Sequence, residues 1–155
     1  MEISRKDLDG DQSARIPALI NSINNFERIG DHCEDIIDLA QRKIELKLHF
    51  SETGTKELNA LYDEIALMMN ECYSAYAEDN GDIALLAASR EDKIDELSDE
   101  LKEKHIERLE AGTCNVQSGI IFLDAINHLE RIADHLHNIS LIVADSHNYS
   151  EDQDD

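Results

Sequence analysis

Proline is nearly absent from this chain, at one in 155 residues; glycine occurs six times, tryptophan not at all, and aromatic residues make up 5%. So few turn formers and β-favouring side chains exclude a strand-rich sandwich or barrel. The Leu, Ile, Ala, Glu, Asp and Lys that abound instead favour long helices. Basic residues are scarce too, 14 against 35 acidic, for a formal net charge of -21. That charge repels phosphodiester backbones and anionic lipid surfaces, which excludes nucleic acid as a partner, and it attracts cations, metal ions and basic protein segments alike. The three cysteines, Cys33, Cys72 and Cys114, are odd in number and widely spaced, without a C-x-x-C pair. A disulfide framework and a thiolate zinc site are thereby excluded, and a reducing, cytoplasmic setting is expected, including the cytoplasmic face of a membrane. No apolar run reaches the roughly 20 residues of a membrane span, and the start, MEISRKDLDGDQ, is polar rather than signal-like. No direct membrane insertion is expected. Serine or cysteine in a nucleophile-elbow context and phosphate-cradling glycine loops are also missing, so no enzymatic activity is expected.

What is present is a copied segment. Phe26 to Ile36 reads FERIGDHCEDI, and Leu129 to Ile139 reads LERIADHLHNI. At an offset of 103 residues the two share Ile23/Ile126, Asn24/Asn127, Glu27/Glu130, Arg28/Arg131, Ile29/Ile132, Asp31/Asp134, His32/His135 and Ile36/Ile139. Charged and apolar positions copied together mark a duplicated supersecondary unit.

Taken in order, residues 1–12 lack apolar periodicity and are expected to be a flexible lead or linker. A first helix is expected from 13–16, with Pro17 in its first turn, to about 48. Its seam would be Leu19, Ile23, Phe26, Gly30, Cys33, Ile37, Ala40 and Ile44, with Gly30 at a close helix contact. Thr55 is a candidate cap for a second helix that carries Leu58, Leu61, Tyr62, Ile65, Met68, Met69, Cys72 and Tyr76. After the turn at 79–82, a third helix is expected to run through Ile83, Leu86, Ala87, Ile94, Leu97 and Leu101 until Gly112 stops it. Asn115 or Thr113 caps a fourth, whose seam is Phe122, Ile126, Leu129, Ala133, Leu136, Ile139 or Ser140, and Val143. Residues 147–155 read as a disordered acidic tail. The fold class is all-α, an antiparallel up-down-up-down four-helix bundle over residues 13–146.

Acidic residues line the helices beside these seams. Glu27, Asp31, Glu34 and Asp38 recur at i, i+4, i+7 and i+11; Asn127, Glu130, Asp134 and His137 form the equivalent line, and Glu91, Asp95 and Asp99 a third. Carboxylates one turn apart repel each other unless a cation neutralises them, and hard or borderline metal ions take such oxygens, with imidazole admitted for iron, manganese or zinc. A chain with 35 acids in 155 residues holds about eight acidic i, i+4 pairs by composition alone. The weight therefore rests on the spacing being repeated within the copied segment. His32 and His135 follow the repeated Asp, where a hydrogen bond is the ordinary role. His137 lies on the stripe itself and is the better ligand candidate; His49, His105, His128 and His147 read as helix-surface or terminal residues.

The paired ERIGDH and ERIADH segments resemble the signature of the PhoU family of phosphate-uptake regulators. A PhoU-like repeat is three helices, and Lys56 to Ala144, with EDKIDEL and LERIADHLHNI, resembles one complete repeat. The first helix resembles the last helix of a preceding repeat whose two leading helices are missing. The resemblance is greatest to the cytoplasmic C-terminal domain of sodium/phosphate cotransporter-type proteins. It implies a regulatory role in phosphate uptake or its signalling, with a phosphate transporter or its membrane portion, or a sensor protein, as partner; a homo-oligomer is left open. It also implies divalent or trivalent metal ions (iron, manganese, zinc or magnesium) at Glu27, Asp31, Glu91, Asp95, Glu130 and Asp134, to which the stripe adds His137. The competing reading is a ferritin-like di-metal carboxylate oxidase or metal-storage bundle. Such sites use Glu-x-x-His, which this sequence lacks, Asp134-x-x-His137 being the near miss.

Overall fold

The computed structural model describes residues 10–151, with side chains over 16–146. The described residues form an all-α bundle of five helices: α1 (Gly10–Glu45), α2 (Glu52–Glu78), α3 (Gly81–Ala88), α4 (Glu91–Glu110) and α5 (Val116–Glu151). Residues 1–9 and 152–155, parts of the expected lead and tail, lie outside the described residues. The helix α1 starts before the expected 13–16, and α5 continues through 147–151.

Local chemistry sets the helix ends. The Ser51 Oγ accepts from the Gly54 N–H and starts α2 in place of the expected Thr55, which packs its own hydroxyl back on the Ser51 carbonyl. Asn80 Oδ1 accepts from Ile83 N, and Asn115 Oδ1 from Gln117 and Ser118 N. Gly112 ends α4 at φ 66°, where its N–H and that of Thr113 return to the carbonyls of Leu109 and Arg108. The expected third helix is interrupted at Ser89–Arg90, where no glycine or proline signals a break. Ser89 Oγ donates to the Leu86 carbonyl, and the Arg90 guanidinium turns away to Glu71 on α2.

The core lies around α5, which packs on every other helix. Its expected seam is buried throughout: Phe122, Ile126, Leu129, Ala133, Leu136, Ile139, Ser140 and Val143. Facing it are Leu61, Ile65, Met68 and Cys72 from α2 and Ile94 and Leu101 from α4. Each fully buried Leu, Ile or Met contributes about 1.5–3 kcal/mol. Alanines 84, 87 and 88 let α3 approach closely, and Gly119 lets α4 do so, since a Cβ there would stand 2.8 Å from His105 Nε2 and 2.9 Å from Leu109 Cδ2. Ion pairs add clasps: Arg108–Glu57 between α4 and α2, Arg90–Glu71 between the α3–α4 break and α2, and Lys102–Glu130 between α4 and α5.

The helix α1 is turned differently from the sequence expectation. It meets α5 through Ser22, Asn25, Ile29, His32 and Ile36, while the expected seam residues Leu19, Ile23, Phe26, Gly30, Cys33, Ile37, Ala40 and Ile44 are all exposed. Periodicity identified the apolar face correctly, but no described element lies across it beyond the edge contact of Phe26 with Tyr76. Gly30 has no atom within 4 Å of where a Cβ would stand, so it mediates no close contact. The two copies of the repeat face each other about a local two-fold. His32 pairs with His128 and His135 with Asn25, positions related by the same 103-residue offset, so α1 and α5 run antiparallel.

Candidate functional site

The register of α4 against α5 is fixed at three heights: Gly119 against His105, Lys102 against Glu130, and Glu91 against His137. Between the last two, Glu91, Asp95 and Asp99 of α4 face Glu130, Asp134 and His137 of α5. Each acid there is handled differently. Glu130 lies 2.5 Å from Lys102 Nζ, and Asp134 is 3.4 Å from Arg131 of its own helix. Glu91 Oε2 is 3.7 Å from His137 Nδ1, and that nitrogen donates to the Ala88 carbonyl at 3.1 Å, a carbonyl freed by the α3–α4 break. Asp95 has no such partner: its Oδ1 is buried and accepts no hydrogen bond. Burial, then the charges of Glu91, Glu130, Asp134 and Asp99, raise its proton affinity above the ordinary carboxylate range.

Five of the seven candidate ligands thus share one face: Glu91, Asp95, Glu130, Asp134 and His137. Glu27 and Asp31 do not join them. Both are exposed on α1, where Asp31 lies 3.6 Å from Arg28. The five do not converge as closely as bound ligands do, since no three of them bring ligand atoms within 4.8 Å of one another; as donor types, carboxylate oxygens with one imidazole are those that magnesium, manganese, iron or zinc take.

A second constellation lies on the α1–α5 seam. His32 Nδ1 and His128 Nδ1 are 3.1 Å apart, and Asp35 Oδ2 is 3.9 Å from the first and 3.5 Å from the second. Among the described residues, these are the three His, Cys, Asp or Glu side chains whose ligand atoms all lie within 4.8 Å of one another. Burial foremost, and then the neighbouring His128, lower the proton affinity of His32; burial and then His32 do the same to His135. Sequence reasoning passed over this group because His128 stands outside the copied hexamer. The available signal was spacing: His32 and Asp35 are i, i+3 on α1, and His128 and His135 are i, i+7 on one face of α5.

The family model described as the PhoU domain matches residues 58–143, from the second turn of α2 through most of α5. The chain belongs to the PhoU domain family. Curated relatives agree. The phosphate-specific transport system accessory protein PhoU homolog of Pseudomonas putida is 31% identical over 130 residues, covering 83% of this chain and 49% of that protein. Its counterpart in Clostridium acetobutylicum is 27% identical over 120 residues, 77% of this chain and 53% of that protein. PhoU homolog 1 of Thermotoga maritima is 25% identical over 128 residues, 80% of this chain and 53% of that protein. The chain spans about half the length of these relatives. No solved structure gives a significant match. Relative to the PhoU span, α1 lies outside, although it carries one copy of the repeated segment.

Proposed function

We propose that this PhoU-family chain is a non-enzymatic accessory regulator of phosphate uptake or its signalling, acting at the cytoplasmic side through contact with a phosphate transporter or sensor. The observation that carries the reading is the family match over α2–α5, supported by relatives whose names describe phosphate-specific transport accessory proteins. Among the described residues no helix is long and apolar enough to cross a membrane, which accords with a role supplied by contact. In this reading the α4–α5 face holds a divalent or trivalent cation between Glu91, Asp95, Asp134 and His137, with Glu130 tied to Lys102 at its edge. Glu27 and Asp31 on α1 form the second, incomplete copy. The cation neutralises Asp95 and its neighbours and stiffens the face presented to the partner. The finer reading is that the chain is the PhoU-like part of a sodium/phosphate cotransporter-type protein.

Co-purification from membranes tests the regulatory role: a phosphate transporter retained by the tagged chain, with occupancy that changes between phosphate-rich and phosphate-poor growth, is the expected result. Its absence under both conditions would sink the proposal. Elemental analysis without chelator tests the cation separately, with metal expected in the parent chain and a lower metal content, short by the share of the α4–α5 face, in the double variant Asp95→Asn, Asp134→Asn. Ferrous iron added to the chain should not be turned over with oxygen; sustained oxidation would move the reading to the di-metal oxidase.

A further inference from the structure

We propose that His32, Asp35 and His128 form a second, separate metal site that clasps α1 to α5, taking zinc or a similar borderline divalent ion through two imidazole nitrogens and one carboxylate oxygen. The geometry is already close to that of a bound ion. A tetrahedral zinc with bonds of about 2.0–2.1 Å places its donors about 3.3–3.4 Å apart. The three donor separations here are 3.1, 3.5 and 3.9 Å, so the imidazoles need to open by a few tenths of an ångström and the carboxylate to close by about half an ångström. Side-chain rotation suffices for both.

Donor chemistry selects the ion. Two nitrogens and one oxygen favour zinc, cobalt, nickel or copper over magnesium and calcium, which require mostly oxygen. The two imidazoles are largely sheltered while Asp35 is half exposed, at 52%, so the fourth coordination position opens to water on the Asp35 side. Orienting groups are in place as well. His135 stacks on the His32 ring at 5.7 Å, and its Nδ1–H donates to Asn25 Oδ1. Asn25 Nδ2 in turn donates to the Asn21 carbonyl. The stacked His135 ring, itself held by Asn25, restricts rotation of the His32 imidazole.

The site shares no residue with the α4–α5 carboxylate face, and its effect would be distinct. Two ligands come from α1 and one from α5, so the ion closes a helix interface whose buried positions include Ser22 and Asn25. Metal binding therefore stabilises the docking of α1 itself.

The test uses the full chain stripped with chelator and titrated with cobalt(II), then zinc. The expected result is one equivalent of cobalt that develops the intense visible bands of low-coordinate geometry and is displaced by zinc, apart from any cobalt on the carboxylate face, together with a zinc-dependent rise in the unfolding midpoint. His32→Gln and His128→Gln should each weaken binding by about a hundredfold or more, at or beyond the tenfold to hundredfold typical of losing an outer partner, and Asp35→Asn by about tenfold. Asp95→Asn with Asp134→Asn should leave the bands unchanged, which separates this site from the carboxylate face. Unchanged cobalt bands in both histidine variants, or absence of the bands from the parent, would overturn the proposal and leave the pair as an ordinary imidazole hydrogen bond. Should a histidine variant fail to fold, ring resonances of the parent decide: zinc must shift those of His32 and His128, and shifts confined to other histidines refute the site.

Discussion

Ile23 and Ile126 occupy the same position of the copied segment, yet one is 55% exposed and the other fully buried. Truncating each to alanine therefore makes the same chemical change in two environments. At Ile126 the lost methylenes leave a cavity among α2, α4 and α5, for a cost of about 2–5 kcal/mol. For a chain of this size each kcal/mol lowers the thermal midpoint by about 2–4 °C, so Ile126→Ala should fall by roughly 4–20 °C. At Ile23 little area is lost and the better helix propensity of alanine offsets part of it, so the change should stay within about 0.5 kcal/mol. Urea unfolding followed by helical circular dichroism, run over a series of protein concentrations, measures both. A cost at Ile23 above about 2 kcal/mol, independent of concentration, would mean that the α1 face is covered within the molecule and that the assigned rotation of α1 is wrong. A similar cost that grows with concentration would mean that a second copy covers it.

Gly30 of α1 and Gly119 of α5 should respond in opposite directions. Gly119→Ala should destabilise by about 1–3 kcal/mol, because its Cβ collides with His105 and Leu109, whereas Gly30→Ala should stabilise by about 0.5–1 kcal/mol, since nothing lies near its Cβ; denaturant midpoints read both. Asp95 binds its proton more tightly folded than unfolded, so without metal its contribution to stability falls as pH rises from the ordinary carboxylate range through the raised folded value. Asp95→Asn should flatten that slope and match or exceed the parent in stability near neutrality; a parent curve that rises there more steeply than the variant's would refute the assignment. His32 and His135, whose proton affinities are lowered in the fold, act with the opposite sign and cost stability as pH falls below the ordinary histidine range. Replacing His135 by glutamine should reduce that acid-side loss in a urea series from neutral to mildly acidic pH.

The helical class, the α5 seam and most caps were legible because each is local: periodicity, Asn80, Asn115 and Gly112 act over a few residues. The rotation of α1 was not, because the same apolar stripe reads identically whether or not a neighbour lies on it; the polar residues Ser22, Asn25 and His32 turned inward instead. The break before Glu91 escaped notice since Ser89 and Arg90 are held by the Leu86 carbonyl and by Glu71 of another helix, the second a contact no local pattern encodes. Of the carboxylate set, the i, i+4 spacing was readable. That Asp95 would be the orphan, and that Lys102 would take Glu130, depended on the register between α4 and α5.

The interruption at Ser89–Arg90 also has an electrostatic consequence. A continuous third helix would pass the acids with its peptide groups fully paired internally. Two helices instead place the positive end of a new peptide-dipole array at Glu91, midway along α5 and beside Asp95. The first turn of α4 therefore lends partial positive charge to the place where the bundle concentrates negative charge, so part of the mutual repulsion there is answered by the backbone alone.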